Sequence, residues 1–305
     1  MKISIIIPVF NEEPNIIELN KRLAIVLKDV DDYEVIFVDD GSNDKTLAII
    51  KSVASLNTKI KYLSFSRNFG HQNALRAGLA YSSGDCTVSM DSDLQHPPEL
   101  IHQMIEKWKD GYKIVYTIRK QSRKVSIFKR KTSNVFYRVI SKLSDISLPK
   151  GAADFRLLDK EITDIIVKMN ENALFLRGMI SWIGFDQYAI EYEPEERFAG
   201  KTKYSFKKMV SFAITGLTSF SIKPLRISTI LGAIIAALSF VYAFYAVYIK
   251  IFTSESISGW TSILVSVLFL AGIQLLTVGI IGEYIGKIFI ESKGRPNYII
   301  KEKNL

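Results

Sequence analysis

Two uncharged stretches near the end of this 305-residue chain constrain its fold most. Ile227–Ile249 and Trp260–Gly282 each run 23 residues without an Asp, Glu, Lys or Arg. A helix of that length crosses roughly 30 Å of hydrocarbon, whereas a globular core helix is usually shorter and carries a polar face. Lys223 and Arg226 precede the first stretch. Lys287, Lys293, Arg295, Lys301 and Lys303 follow the second, and the link between them holds only Lys250 and Glu255. This bias predicts both termini in the cytoplasm and a short external loop, with Tyr248 and Trp260 as interfacial anchors. Upstream, Phe206, Met209, Val210, Ala213, Leu217 and Phe220 recur at helical spacing. That periodicity suits an amphipathic helix on the membrane surface and equally a core-facing helix. Gly282 and Gly286 form a GxxxG, a spacing through which helices of two copies approach closely in a homo-oligomer.

The rest of the chain reads as a soluble α/β domain. Short Val/Ile-rich runs, Ile3–Val9, Tyr33–Asp39, Ile60–Ser64, Cys86–Met90 and Lys113–Ile118, alternate with amphipathic segments Asn15–Leu27, Lys45–Leu56, His71–Tyr81 and Pro97–Lys109. Such alternation predicts a mostly parallel sheet. The first run is too short to span a membrane and resembles no secretory signal, which predicts a cytoplasmic domain. No GxGxxG follows a strand and no GxxxxGK[ST] is present, which removes the main support for dinucleotide and P-loop chemistry. The single cysteine, Cys86, excludes an internal disulfide framework, and three scattered histidines give no zinc signature. The expected organisation is a cytoplasmic α/β domain over 1–204, an amphipathic juxtamembrane helix over 205–222, spans at 227–249 and 260–282, and a cytoplasmic basic tail over 283–305.

In a parallel sheet the strand ends share one edge, where open α/β sheets bind ligands. Three of these ends are polar: Pro8-Val9-Phe10-Asn11-Glu12, Asp39-Asp40-Gly41-Ser42 and Asp91-Ser92-Asp93-Leu94-Gln95. Asp91 and Asp93 offer hard oxygen donors suited to Mg²⁺ or Mn²⁺, and through the ion to a diphosphate. Asp also serves in ordinary Asx turns, and this applies to Asp40 as well. The net charge of +9 favours an anionic partner. Residues 119–131 hold seven Lys/Arg, including Arg119, Arg130 and Lys131. They read either as a solvated loop or nucleic-acid patch, or as a clamp for a lipid phosphate. With Phe128 the only aromatic and a membrane anchor nearby, the clamp is favoured and no nucleic-acid partner is expected.

Together, IIPVFNEE, VDDGSNDKT, MDSDLQHP and RFAGKTKYS resemble the family 2 glycosyltransferases of GT-A fold. Their polyprenyl-phosphate group is nearest: bactoprenol glucosyltransferases and dolichyl-phosphate mannose synthases. The resemblance covers nearly the whole chain, because the bactoprenol enzymes also end in two spans. It implies that Pro8, Phe10, Glu12, Asp39, Asp40 and Asp91 line the nucleotide-sugar pocket, with Phe10 where the family often has Tyr. Asp91, Asp93 and Gln95 would attend the metal. Arg119, Arg130 and Lys131 would hold the acceptor phosphate, and Arg197 and Lys203 would close over the donor. Asp93, Arg119 and Asp154 are the implied catalytic set. Asp154 falls in Gly151-Ala152-Ala153-Asp154-Phe155-Arg156, where the family often reads D-x-x-S-G-F, and reads either as a base or as a group orienting an arginine.

The implied reaction moves a hexose, glucose from UDP-glucose first, to undecaprenyl phosphate at the inner face of the bacterial cytoplasmic membrane. Mannose, an N-acetylhexosamine or a modified arabinose are the alternative sugars. A processive polysaccharide synthase is disfavoured because Q-x-x-R-W is absent. A non-catalytic pore or nucleotide-sugar-binding subunit has no need for acidic groups at three strand ends.

Overall fold

The computed structural model describes residues 1–120, 151–169, 171, 175–195, 218, 221–252 and 259–305. Arg130, Lys131, Arg197, Lys203 and most of the expected juxtamembrane helix lie outside these residues.

Eight strands form one sheet in the order β7-β5-β6-β4-β1-β2-β3-β8. They are β1 (Lys2–Val9), β2 (Asp32–Asp39), β3 (Ile60–Phe65), β4 (Cys86–Ser89), β5 (Ile114–Arg119), β6 (Ala152–Asp159), β7 (Gln187–Tyr192) and β8 (Ile300–Lys303). The first four and β5 and β7 run one way, and β6 and β8 run against their neighbours. The α/β class expected from the alternation is what the chain adopts.

The central strands are buried on both faces, so they read as continuous apolar runs. Ile3, Ile5 and Ile7 of β1 pack in one core with Ile16, Leu19 and Leu23 of α1 (Glu13–Val26) and Ile50 of α2 (Thr46–Leu56). Ile6, Ile36 and Val38 face the other core with Ala74, Ala77 and Leu79 of α3 (His71–Tyr81). The Cys86 thiol is buried in the first of these cores, and burial pushes its pKa up to about 12, as suits a core residue. Helix α4 (Leu100–Lys109) starts after Pro98, not at Pro97. The Pro97 and Pro98 carbonyls instead accept the first turn's N–H groups of Leu100 and Ile101. After β6 come α5 (Lys160–Lys168) and α6 (Leu176–Ile183).

At the amino edge of the sheet Glu34 is a buried carboxylate, its side chain 2% exposed. It accepts from Ser4 Oγ (2.6 Å), Ser83 N (2.7 Å) and Lys61 Nζ (2.7 Å), with Lys2 at 3.2 Å. Burial alone would raise its pKa, but these donors outweigh burial and hold it at about 2.

Helices α7 (Lys223–Phe252) and α8 (Trp260–Ser292) form the carboxy-terminal hairpin. Both exceed the uncharged segments, and α8 continues through Glu283 and Lys287 to Ser292. Lys223–Tyr242 and Val265–Ser292 are long and apolar enough to cross a membrane, with mean hydropathy 1.8 and 2.2. Phe240, Phe244 and Leu275 point outward, an apolar exterior of the kind that lipid covers. At the base of the hairpin the Tyr284 hydroxyl donates to the Ser221 carbonyl (2.6 Å). A Cβ added at Gly282 or Gly286 meets nothing within 4 Å, so the GxxxG packs no neighbour among the described residues.

The final residues do not form a free basic tail. After α8 the chain returns to the soluble domain, and β8 pairs antiparallel with β3. Tyr298 stacks on Phe65 at 5.1 Å, Lys51 pairs with Glu302 at 2.6 Å, and Tyr62 N donates to Asn304 Oδ1. The α/β domain therefore includes a strand encoded beyond the hairpin.

Candidate active site

The carboxyl ends of β1, β2, β3 and β4 and the amino end of the reversed β6 meet at one edge. Because β6 runs antiparallel beside β4, its first residues lie where the parallel strands present their last. That register brings Asp154 to Asp91, and the Ser89 hydroxyl fastens the two strands by donating to the Asp154 carbonyl (2.6 Å). The amino ends of α1, α2 and α3 follow strands that end here, and their partial positive charge favours an anionic ligand.

Hydrogen bonds stitch the loops to one another. Asn11, at φ 52, donates its N–H to Ser42 Oγ, and its Oδ1 accepts from Asn43 N. Glu12 N donates to Thr46 Oγ1. Asp39 is 1% exposed, with its carboxylate accepting from Ser42 N and Ser64 Oγ. It braces the loops from inside and presents no surface to a base. Asp40 accepts from Phe69 N (2.6 Å) and Gly70 N (3.0 Å), fixing the loop that leads into α3. Burial raises the Asp40 pKa, against the pull of these backbone donors. Gly41, at φ +71, lies so close to the Arg67 backbone that a Cβ would sit 2.5 Å from its carbonyl carbon. Pro8 is buried within β1, while Phe10 and Glu12 are half-buried at its exit.

Asp91 and Asp93 occupy the turn after β4. Asp91 is 37% exposed, and its N–H donates to His96 Nδ1 (3.0 Å). His96 is buried, stacked on Phe155 at 5.2 Å, and its Nε2 lies 3.6 Å from Asp91 Oδ2. Asp93 Oδ1 accepts from Gln95 N, and Leu94 adopts φ 62 to close the turn. Arg119, at the end of β5, reaches toward Gln95, with Nη1 3.4 Å from Oε1. Tyr192 of β7 approaches His96 edge-on, and burial pushes its hydroxyl pKa up to about 12. Among the described residues no three His, Cys, Asp or Glu side chains converge into a ready-made metal cage. Two carboxylates on one turn match an ion that takes its remaining ligands from water and phosphate, as Mg²⁺ does.

Both carboxylate oxygens of Asp154 are engaged by one guanidinium. Arg177 Nε donates to its Oδ1 (2.7 Å) and Nη2 to its Oδ2 (3.0 Å). Burial opposes its charge, but Arg177, His71 and Arg156 outweigh burial and hold its pKa well below the carboxylate range. Arg156 lies 3.6 Å away, and burial lowers its guanidinium to about 10. Arg177, His71 and Gln72 escaped sequence reasoning. Gln72 accepts from Leu176 N (3.1 Å), which seats the first turn of α6 and hence Arg177. The available signal was position: His71 and Gln72 open a helix just after a strand end, as cleft residues do.

Residues 4–169 match Glycosyl transferase family 2, and residues 223–288 match the GtrB C-terminal hairpin. The chain belongs to glycosyl transferase family 2. It is 44% identical over 98% of its length to the uncharacterized glycosyltransferase YkcC of Bacillus subtilis (strain 168), covering 93% of that protein. It is 41% identical to the bactoprenol glucosyl transferase of Shigella phage SfV, over 99% of each chain. The prophage bactoprenol glucosyl transferase homolog of Escherichia coli (strain K12) matches at 41%, again over 99% of each. These matches run through the hairpin as well as the sheet domain.

Proposed function

We propose that this family 2 enzyme transfers glucose from UDP-glucose to undecaprenyl phosphate at the inner face of the bacterial cytoplasmic membrane. The observation that carries the reading is β8. It joins a carboxylate-rich cleft to a hairpin suited to the bilayer, so the cleft stays beside the surface where a lipid phosphate emerges. Full-length relatives named as bactoprenol glucosyl transferases support the same assignment. Both termini are cytoplasmic in this reading, and Gly282 and Gly286 are where copies of the chain would meet.

Asp91 and Asp93 would hold Mg²⁺ or Mn²⁺, with Gln95 beside them. Such an ion supplies charge neutralisation on the diphosphate leaving group. Phe10, Glu12 and the Asp40 loop border the nucleoside. Arg119 faces the diphosphate or the incoming phosphate, and Arg130, Lys131, Arg197 and Lys203 are assigned the remaining phosphate contacts.

The acceptor phosphate is a ready nucleophile. Its second pKa near 6 leaves it largely dianionic at neutral pH, so it needs little general-base help. One acceptor oxygen forms a bond to the anomeric carbon as the bond from that carbon to the donor diphosphate breaks, and UDP leaves. A single displacement inverts the centre and gives a β-linked lipid phosphate from an α-linked donor. Asp154 accordingly serves as the anchor of Arg177 rather than as a proton acceptor.

Membranes carrying the chain, given radiolabelled UDP-glucose, should yield an organic-extractable product that is missing from membranes without it. Label from another nucleotide sugar entering that fraction while glucose does not would reassign the donor.

A further inference from the structure

His71 stands between two carboxylates that different strands bring to the cleft. Its Nε2 lies 3.6 Å from Asp91 Oδ1 and 3.6 Å from Asp154 Oδ2. The ring is delivered by fixed backbone: Asp40 grips the N–H groups of Phe69 and Gly70, and Gly70 turns the chain into α3 at φ +100. At 36% exposure the side chain faces the cleft rather than the core. Asp91 is flanked on its other oxygen by His96 Nε2. Since His96 Nδ1 accepts the Asp91 N–H, its ring proton is on Nε2, directed at that carboxylate. The two imidazoles thus flank Asp91, and of the two it is His71 that also lies beside Asp154.

We propose that His71 is a positioning residue for the donor carboxylate, its Nε2–H tying Asp91 to the Asp154–Arg177 pair. The proposal rests on the reading of Asp91 as a donor-binding group. A carboxylate on an exposed turn rotates freely, and losing the partner that orients a ligating group typically costs 10- to 100-fold in affinity or activity. His71 removes that freedom and sets the donor side of the cleft at a fixed place relative to Arg177.

Two substitutions separate positioning from bulk. In His71→Gln the amide nitrogen overlays Nε2, whereas in His71→Asn it overlays Nδ1 and cannot reach either carboxylate. The full-length enzyme in detergent is titrated with UDP in the presence of Mn²⁺, without acceptor, and then assayed for both KM values and kcat. His71→Asn should weaken Mn²⁺-dependent UDP binding about tenfold or more and raise the donor KM. His71→Gln should stay within about threefold of wild type on the same scale, and the acceptor KM should hold in both. Equal losses in the two variants, or none in either, would overturn the positioning role. Wild-type enzyme that fails to bind UDP with Mn²⁺ would overturn the donor reading itself, and this proposal with it.

Discussion

Arg177 closes a two-point hydrogen bond on Asp154, at 2.7 and 3.0 Å, joining the first turn of α6 to the start of β6. Such a fork is geometrically specific, and a partly buried carboxylate held this way stays ionised. Asp154→Asn and Arg177→Gln should each reduce kcat at least tenfold. The double variant should lose little more, because the two act as a unit, with a coupling of about 1–3 kcal/mol. Additive losses across the cycle would show that the residues work separately.

The metal assignment yields a second expectation. EDTA should abolish transfer, and Mg²⁺ or Mn²⁺ should restore it. Asp93→Ala should lower the rate by orders of magnitude, since an ion at the leaving diphosphate stabilises several kcal/mol of developing charge. Full activity in EDTA would contradict it.

The first half of the sheet was legible because strands buried on both faces leave continuous Val/Ile runs, as in Ile3-Ser4-Ile5-Ile6-Ile7. Three strands, β6, β7 and β8, were not. β6 reads Ala-Ala-Asp-Phe-Arg-Leu-Leu-Asp, and its insertion between β4 and β5 is a long-range choice that no local pattern records. β8 is four residues with alternating burial, set among lysines that read as a tail. The acidic turns at the strand ends were visible as motifs. His71 and Arg177 were not, because 106 residues separate them and only the reversed β6 brings both to Asp154. Asp39 and Asp40 looked alike in sequence, but the pleat and the loop send one inward to Ser64 and the other to Gly70.

The pairing of β8 with β3 gives a third prediction. Deleting residues 296–305 removes the Tyr298–Phe65 stack and the Lys51–Glu302 contact and bares the edge of β3. The melting temperature of the soluble domain should fall by about 5 °C, and the protein should aggregate more readily through the open edge. An unchanged melting curve would mean that the strand contributes nothing to the sheet.

Glu34 supplies a pH test far from the cleft. Its folded pKa of about 2 lies below the ordinary 4.5, so its contribution is complete above about 4.5 and is lost as pH falls toward 2. Glu34→Gln should therefore cost about 1–3 kcal/mol at pH 7, and its deficit relative to wild type should shrink below pH 4.5. A deficit that stays constant down to pH 3 would show that the carboxylate's charge is not what holds Ser4, Ser83 and Lys61 together.

The most direct test of the account is the anomeric configuration of the lipid product. Purified full-length enzyme, Mn²⁺, UDP-[1-¹³C]glucose and undecaprenyl phosphate are incubated, and the organic phase is read by NMR. The account predicts a β-linked glucosyl phosphate, formed by wild type and lost in Asp93→Ala. An α-linked product would contradict the single displacement, and label confined to the aqueous phase would contradict a lipid phosphate as the acceptor.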